Sequence, residues 1–264
     1  AESLLKAGAT WCGSPAEAAR GAEFVFTIVG YPSDVRSVYL GEDGILAHAD
    51  AGAVVVDMTT SEPSLAREIH AAAGEKNIAA LDAPVSGGDL GARDATLAIM
   101  VGGDKAVFEQ VAPVLDVMAG SVTYVGAIGA GNIAKLANQT IVAVNIAACA
   151  EAFVLAQKAG VDPEAVFQAI RGGLAGSTVM DAKVPMMLAR NFAPGFRINL
   201  HIKDLNNVLD TGHGVNSPLP LTAAVRDMMS VLQGDGFDTD DHSGLLKYYE
   251  KLSDIELRPG EPEE

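Results

Sequence analysis

The sequence predicts an α/β domain with a mainly parallel sheet, then an all-α domain, the two joined by a long helix. Three observations carry this. Short β-branched runs alternate with helical patterns through the first half of the 264-residue chain, the pattern of successive βα units. From Gly131 onward the strand signals stop. Between the two regimes, a glycine-rich segment opens into a long and largely apolar helical run.

Strands are expected at Phe24–Val29, Ala53–Met58, Ile78–Ala83, Thr96–Val101 and Val122–Val125. The second is nearly all apolar, as a strand covered on both faces requires. Ser14-Pro15 and Ser61-Glu62-Pro63 read as helix starts, with serine to cap the first amides and proline preset for the first turn. Gly102-Gly103-Asp104 reads as a strand end that caps the next helix. A helix is expected over 131–159, and Asp162-Pro163 opens another. More are expected near 177–189, 197–212, 219–233 and 242–253. The longest apolar stretch, Thr140 to Ala156, is interrupted by Asn145 and Glu151. It reads as a buried inter-domain helix rather than a membrane span. The Pro/Glu-rich segment 258–264 is expected to be a disordered tail. The predicted domains are therefore 1–128 and 129–257.

Composition narrows the function. Apolar residues make up 49% and charged residues 20%, a globular balance. A net charge of −16 argues against a nucleic-acid or anionic-membrane surface, which needs basic stripes. An anionic substrate would need locally placed cations, and Lys135, Lys203 and Arg171 are the candidates. Cys12 and Cys149 form no CxxC and no zinc spacing, so a reducing, cytoplasmic setting fits, with no metal site. The start of the chain lacks the basic and apolar regions of a signal peptide.

The stretch Gly131 to Gln139 opens the long helix. Positions i, i+3 and i+4 are lateral neighbours, so Lys135, Asn138 and Gln139 share one face. Leu136, Ala137, Ile141 and Val142 around them are apolar, which sets the ammonium against a buried wall. A lysine partly withdrawn from water is a good proton donor to a carbonyl that is becoming an alkoxide. A snorkelling surface lysine with two incidental amides gives the same local pattern. Upstream, in Asp82 to Gly88, Pro84 stiffens a strand exit, Ser86 offers a hydroxyl, and Gly87-Gly88 lets backbone amides approach an anion. An ordinary strand-end turn is the alternative there.

Two other features mimic sites. Gly126-Ala127-Ile128-Gly129-Ala130-Gly131 looks like a phosphate loop, but its order is GxxGxG, and no later strand carries a ribose-binding acid. It reads as the hinge that delivers Lys135. The five histidines show no metal spacing, and His242 beside Ser243 lacks a nucleophile elbow.

The lysine helix, Asp82-Ala83-Pro84-Val85-Ser86-Gly87-Gly88 and Phe196-Arg197-Ile198-Asn199-Leu200-His201-Ile202-Lys203-Asp204-Leu205 together resemble the β-hydroxyacid dehydrogenase family. That family includes 3-hydroxyisobutyrate dehydrogenases. Ile170 to Thr178 and Asp241-His242-Ser243 resemble the subgroup that reduces tartronate semialdehyde (2-hydroxy-3-oxopropionate) to D-glycerate. The resemblance implies a Rossmann-like first domain, NAD or NADP as cofactor, and a small carboxylate substrate. It implies Lys135 as general acid/base, Ser86, Gly87 and Gly88 gripping the substrate carboxylate, and Asn138 or Gln139 aligning it. It assigns Val29, Gly30, Thr60 and Lys203 to the cofactor. Many relatives carry asparagine where Gln139 stands, and proline where Gly30 stands, with Pro32 here two residues on. By itself, Lys203-Asp204 would read as a surface ion pair worth little. The long apolar helix and the helical second half imply a homo-oligomer built on that domain.

No GxGxxG fingerprint opening a βαβ unit is present. The first domain therefore reads as a truncated Rossmann-like parallel sheet without its first βαβ, and the chain as a fragment of a longer enzyme. As given, it is expected to bind a dinucleotide poorly, since the helix N-terminus that holds the phosphates is missing. The enzyme alternative is a 3-hydroxyisobutyrate or other β-hydroxyacid dehydrogenase. The rival from another class is a cofactor-deficient, non-catalytic dimerisation or binding module.

Overall fold

The computed structural model describes residues 2–258 and 260. The chain divides into two compact units, Ala1–Lys135 and Leu136–Glu264. The first carries α1 (Glu2–Lys6), α2 (Pro15–Ala19), β1 (Phe24–Thr27), α3 (Pro32–Leu40), α4 (Ile45–His48), β2 (Val54–Asp57) and α5 (Pro63–Gly74). It continues with β3 (Ala79–Asp82), β4 (Val85–Ser86), α6 (Gly88–Arg93), β5 (Leu97–Gly102), α7 (Lys105–Leu115) and β6 (Ala119–Gly126). The unit boundary falls inside α8 (Ala130–Lys158). Beyond it come α9 (Pro163–Ile170), α10 (Thr178–Leu188), α11 (Ile198–Gly214), α12 (Pro220–Gly234) and α13 (Leu246–Ser253).

The sheet runs in the order β1-β2-β3-β5-β4, with β6 also on β5. β1, β2 and β3 are parallel, in register Phe24↔Val54 and Val54↔Ala79. The sheet is mixed beyond that point. β5 runs antiparallel to β3, meeting it at Asp82↔Gly102, and antiparallel to the two-residue β4, which the sequence did not announce. The link from Ser86 to Leu97 contains only the short α6, whereas a parallel return needs a crossover of about a dozen or more residues. β6 then restores a parallel pairing with β5.

Both faces of the sheet are covered, as the apolar second strand required. Val55 enters one core with Tyr39, Leu65 and Ile69. Val54 and Val56 enter another with Ile99, Val101 and Leu115. This alternation is the two-residue period of a strand. Burying each such side chain contributes about 1.5–3 kcal/mol.

Helix starts follow the chemistry of their caps. Ser14 Oγ accepts from Glu17 N at 3.1 Å, Asp104 Oδ1 from Ala106 N at 2.8 Å, Asp162 Oδ1 from Glu164 N at 3.1 Å, and Ser177 Oγ from Met180 N at 3.0 Å. Ser61 is an exception. It does not cap α5, which begins at Pro63 after an N-cap Glu62 that makes no side-chain bond; the Ser61 amide instead donates to Asn132 Oδ1 at 2.9 Å.

In the second unit, Phe153, Val184, Met187, Leu205, Met229 and Leu245 form the centre of one core. α8 is not buried all round: Ile141 is 60% and Leu155 69% exposed. By length and composition alone it is apolar enough to cross a membrane. The helix expected over 242–253 divides into a 3₁₀ turn, His242–Leu245, and α13. The cause is Asp241, whose buried carboxylate takes the amides of Ser243, Gly195 and Phe196 and tightens the entry. At the end of the chain, the Arg258 amide donates to Gln157 Oε1 at 2.8 Å and the Gly260 amide to Asp162 Oδ1 at 3.1 Å. These two residues of the predicted tail are tied down. Pro259 and 261–264 lie outside the described residues.

Candidate active site

The first group of residues lies at the carboxyl ends of parallel β1 and β2, where ligands of open α/β sheets gather. The Val29 amide donates to Thr59 Oγ1 at 3.0 Å, and the Thr59 amide to Asp57 Oδ1 at 3.0 Å. The loop bearing Val29 and Gly30 is thereby bound to the loop bearing Thr60. Asp57 is the anchor, and it also accepts from Thr27 Oγ1 at 3.2 Å. Burial pushes its carboxyl up to about 6, against the bonds from Thr59 and Thr27 that favour the charged form.

Asp82, beside Asp57 in the ladder, holds the start of the lysine helix. Its Oδ1 accepts from Gly129 N at 2.7 Å and its Oδ2 from Asn132 N at 2.6 Å. One amide of the Gly126–Gly131 segment, that of Gly129, and the Asn132 amide just beyond it are thus engaged by an internal carboxylate. Burial raises the Asp82 carboxyl, and these backbone bonds oppose that rise. The crossing is tight. A Cβ on Gly131 would lie 2.5 Å from both Asp82 O and Met100 O, so only glycine fits. One turn on, Lys135 is 7% exposed. The sequence foresaw an ammonium against an apolar wall, and its burial agrees.

The Ser86-Gly87-Gly88 turn follows β3 and the short β4. Gly87 has φ +133° and Gly88 φ +64°, both in the left-handed half of backbone space that glycine enters freely. Ser86 is half-buried, while the two glycines are exposed.

Within the second unit, three polar side chains form a chain. Asn138 Nδ2 donates to Gln139 Oε1 at 2.8 Å, and Gln139 Nε2 donates to Asp204 Oδ2 at 2.5 Å. Asp204 is 1% exposed and also meets Lys203 Nζ at 2.8 Å. Lys203 is therefore no surface ion pair: only 11% of its side chain is exposed. His242 turns away from hydrolase chemistry, its Nδ1 meeting His201 Nδ1 at 2.9 Å.

No role for Asp82 or Asn132 was legible in the sequence, and Asp204 read only as a surface partner of Lys203. The available signal was positional: an acid ending a strand of small residues, facing a glycine-rich helix start. No role for Asp57 or Thr59 was legible there either.

Two family models match successive parts of the chain. Residues 1–126 match the NAD binding domain of 6-phosphogluconate dehydrogenase, and residues 129–249 match the NAD-binding domain of NADP-dependent 3-hydroxyisobutyrate dehydrogenase. The 2-hydroxy-3-oxopropionate reductase of Escherichia coli (strain K12) is 38% identical over 97% of this chain and 88% of its own length. This chain belongs to the β-hydroxyacid dehydrogenase family. An uncharacterised oxidoreductase of Bacillus subtilis (strain 168), YkwC, is 41% identical over 95% of this chain and 87% of its own. The solved structure of Mycobacterium tuberculosis 3-hydroxyisobutyrate dehydrogenase with L-serine superposes with a TM-score of 0.85 at 34% identity, covering 94% of this chain and 86% of that one. The family makes this β-hydroxyacid dehydrogenase an NAD(P)-dependent oxidoreductase acting on a hydroxyacid. The carboxyl ends of β1 and β2 fit such a cofactor. Ile28 and Tyr31 stand 64% and 41% exposed there, and Gly30 between them adds no side chain.

Proposed function

We propose that this β-hydroxyacid dehydrogenase reduces tartronate semialdehyde to D-glycerate. The observation that carries the substrate is the Asn138–Gln139–Asp204 chain, with Gln139 and Asp204 buried, which gives the lysine helix a polar neighbour suited to a hydroxyl rather than a methyl group. The similarity to the E. coli 2-hydroxy-3-oxopropionate reductase supports the same choice. Ser86, Gly87 and Gly88 hold the substrate carboxylate through the hydroxyl and backbone amides. Lys135 donates its ammonium proton to the carbonyl oxygen as that oxygen becomes an alkoxide, and takes the proton back when the alcohol is oxidised. The Asn138–Gln139 pair aligns the hydroxyl-bearing carbon. Val29, Gly30, Thr60 and Lys203 hold the cofactor, which supplies the hydride when bound.

The relatives named for 3-hydroxyisobutyrate support the second reading, oxidation of that acid. Comparing kcat/KM for D-glycerate and 3-hydroxyisobutyrate in the full-length enzyme separates the two. A preference for D-glycerate is the expected result, and a preference for the methyl-bearing acid would overturn the reading. The same reading includes a homo-oligomer built on the helical unit, supported by the exposed Ile141 and Leu155 on α8.

A further inference from the structure

Resting on that reading, we propose that Asn207 is a specificity-determining residue. Its carboxamide donates a hydrogen bond to the oxygen on the substrate carbon next to the reacting carbonyl. Asn207 lies on α11, three residues after Asp204 and four after Lys203, so the three side chains share one helix face. On that face Asp204 is engaged by Gln139 of α8 and by Lys203. Asn207 is only 5% exposed, and its Nδ2 is buried without a hydrogen-bond partner among the described residues.

Leaving a buried donor unsatisfied costs about 1–3 kcal/mol. Buried polar groups in native proteins are nearly all paired. Of the buried side-chain atoms without a partner among the described residues, Asn207 Nδ2 is the carboxamide donor on the face that carries Lys203 and Asp204, and it points to an acceptor brought from outside. The acceptor must be an oxygen. A hydroxyl fits: it accepts from Asn207 and keeps its own proton to donate elsewhere. A methyl group on the same carbon leaves the amide unpaired. A site that hydrogen-bonds a hydroxyl rejects the analogue lacking it far more strongly than an apolar pocket rejects the hydroxyl.

The test is the ratio of kcat/KM for D-glycerate to that for 3-hydroxyisobutyrate, measured with the same oxidised cofactor in full-length wild type, Asn207→Leu and Asn207→Ala. The proposal expects Asn207→Leu to lower the ratio about tenfold or more, with activity on 3-hydroxyisobutyrate retained or raised. Asn207→Ala adds no bulk and reads the same ratio where the leucine variant does not fold. A wild type active on glycerate whose ratio survives both substitutions overturns this proposal alone. A wild type without glycerate activity overturns the substrate reading and this proposal with it.

Discussion

Asp82 and Asn132 are joined twice: the carboxylate accepts the Asn132 backbone amide at 2.6 Å and its side-chain amide at 3.3 Å. The Asn132 side chain then accepts from the Ser61 amide at 2.9 Å. One residue of α8 thereby ties the end of β3 to the loop after β2, a single turn before Lys135. Removing the carboxylate orphans the buried amides of Gly129 and Asn132, each worth about 1–3 kcal/mol. Asp82→Ala is therefore expected to lose roughly 2–6 kcal/mol of stability in urea unfolding. Asp82→Asn, which keeps one acceptor, should lose less. Equal stability of Asp82→Ala and wild type would show that the anchor carries no load.

The same crossing predicts the effect of one added methyl group. Gly131→Ala would bring a Cβ against the Asp82 and Met100 carbonyl oxygens, which are backbone and cannot swing aside. A loss of about 3 kcal/mol in the same unfolding assay is expected. Gly88→Ala is the comparison, since a Cβ there meets nothing within 4 Å and only its φ of +64° is strained. It should cost about 1–2 kcal/mol.

Asp57 predicts a pH dependence of unusual sign. Its folded carboxyl titrates at about 6, above the ordinary value of 3.8, because burial disfavours the charged form. The folded state therefore binds more protons than the unfolded state across that interval, and stability falls as pH rises. The contribution is fully present below the ordinary value and is lost as pH climbs through about 6. Its size is on the order of 3 kcal/mol. Asp57→Asn should flatten this slope in denaturant midpoints measured between pH 4 and pH 7, and an unchanged slope would assign the dependence elsewhere.

Asp241 gives the opposite slope in the helical unit. Burial alone would raise its carboxyl, but the charge of His242, the Ser243 amide, Lys183 and the Phe196 amide outweigh it and hold it at about 2. Lys183 Nζ lies 3.0 Å from both carboxylate oxygens. The unfolded state then binds more protons, so the stability is present above the ordinary carboxylate range and lost as pH falls toward 2. Asp241→Asn should blunt the acid limb of the unfolding profile. A wild-type acid limb in that variant would contradict this assignment.

What the sequence made legible depended on the range of the signal. The apolar run at Val54–Val56, the proline-marked starts at Pro15, Pro63 and Pro163, and the 29-residue α8 are local patterns, and all are found in the fold. The burial of Lys135 was legible because its helix neighbours are apolar. The work of Asp82, Asn132 and Asp204 was not, since Asp82 acts across 50 residues on Asn132 and Asp204 across 65 on Gln139. Ser61 shows the same limit. Its local pattern announced a cap, but it stands one residue before the N-cap Glu62, and its backbone amide meets a partner 71 residues away.

The central claim is that Lys135 moves the proton, and Lys135→Ala in the full-length enzyme tests it most directly. Single-turnover reduction of tartronate semialdehyde should slow about 10²–10⁴-fold, while reduced-cofactor affinity, read by nicotinamide fluorescence, stays at the wild-type value. Turnover within about threefold of wild type, a barrier change of less than roughly 1 kcal/mol, would contradict the account.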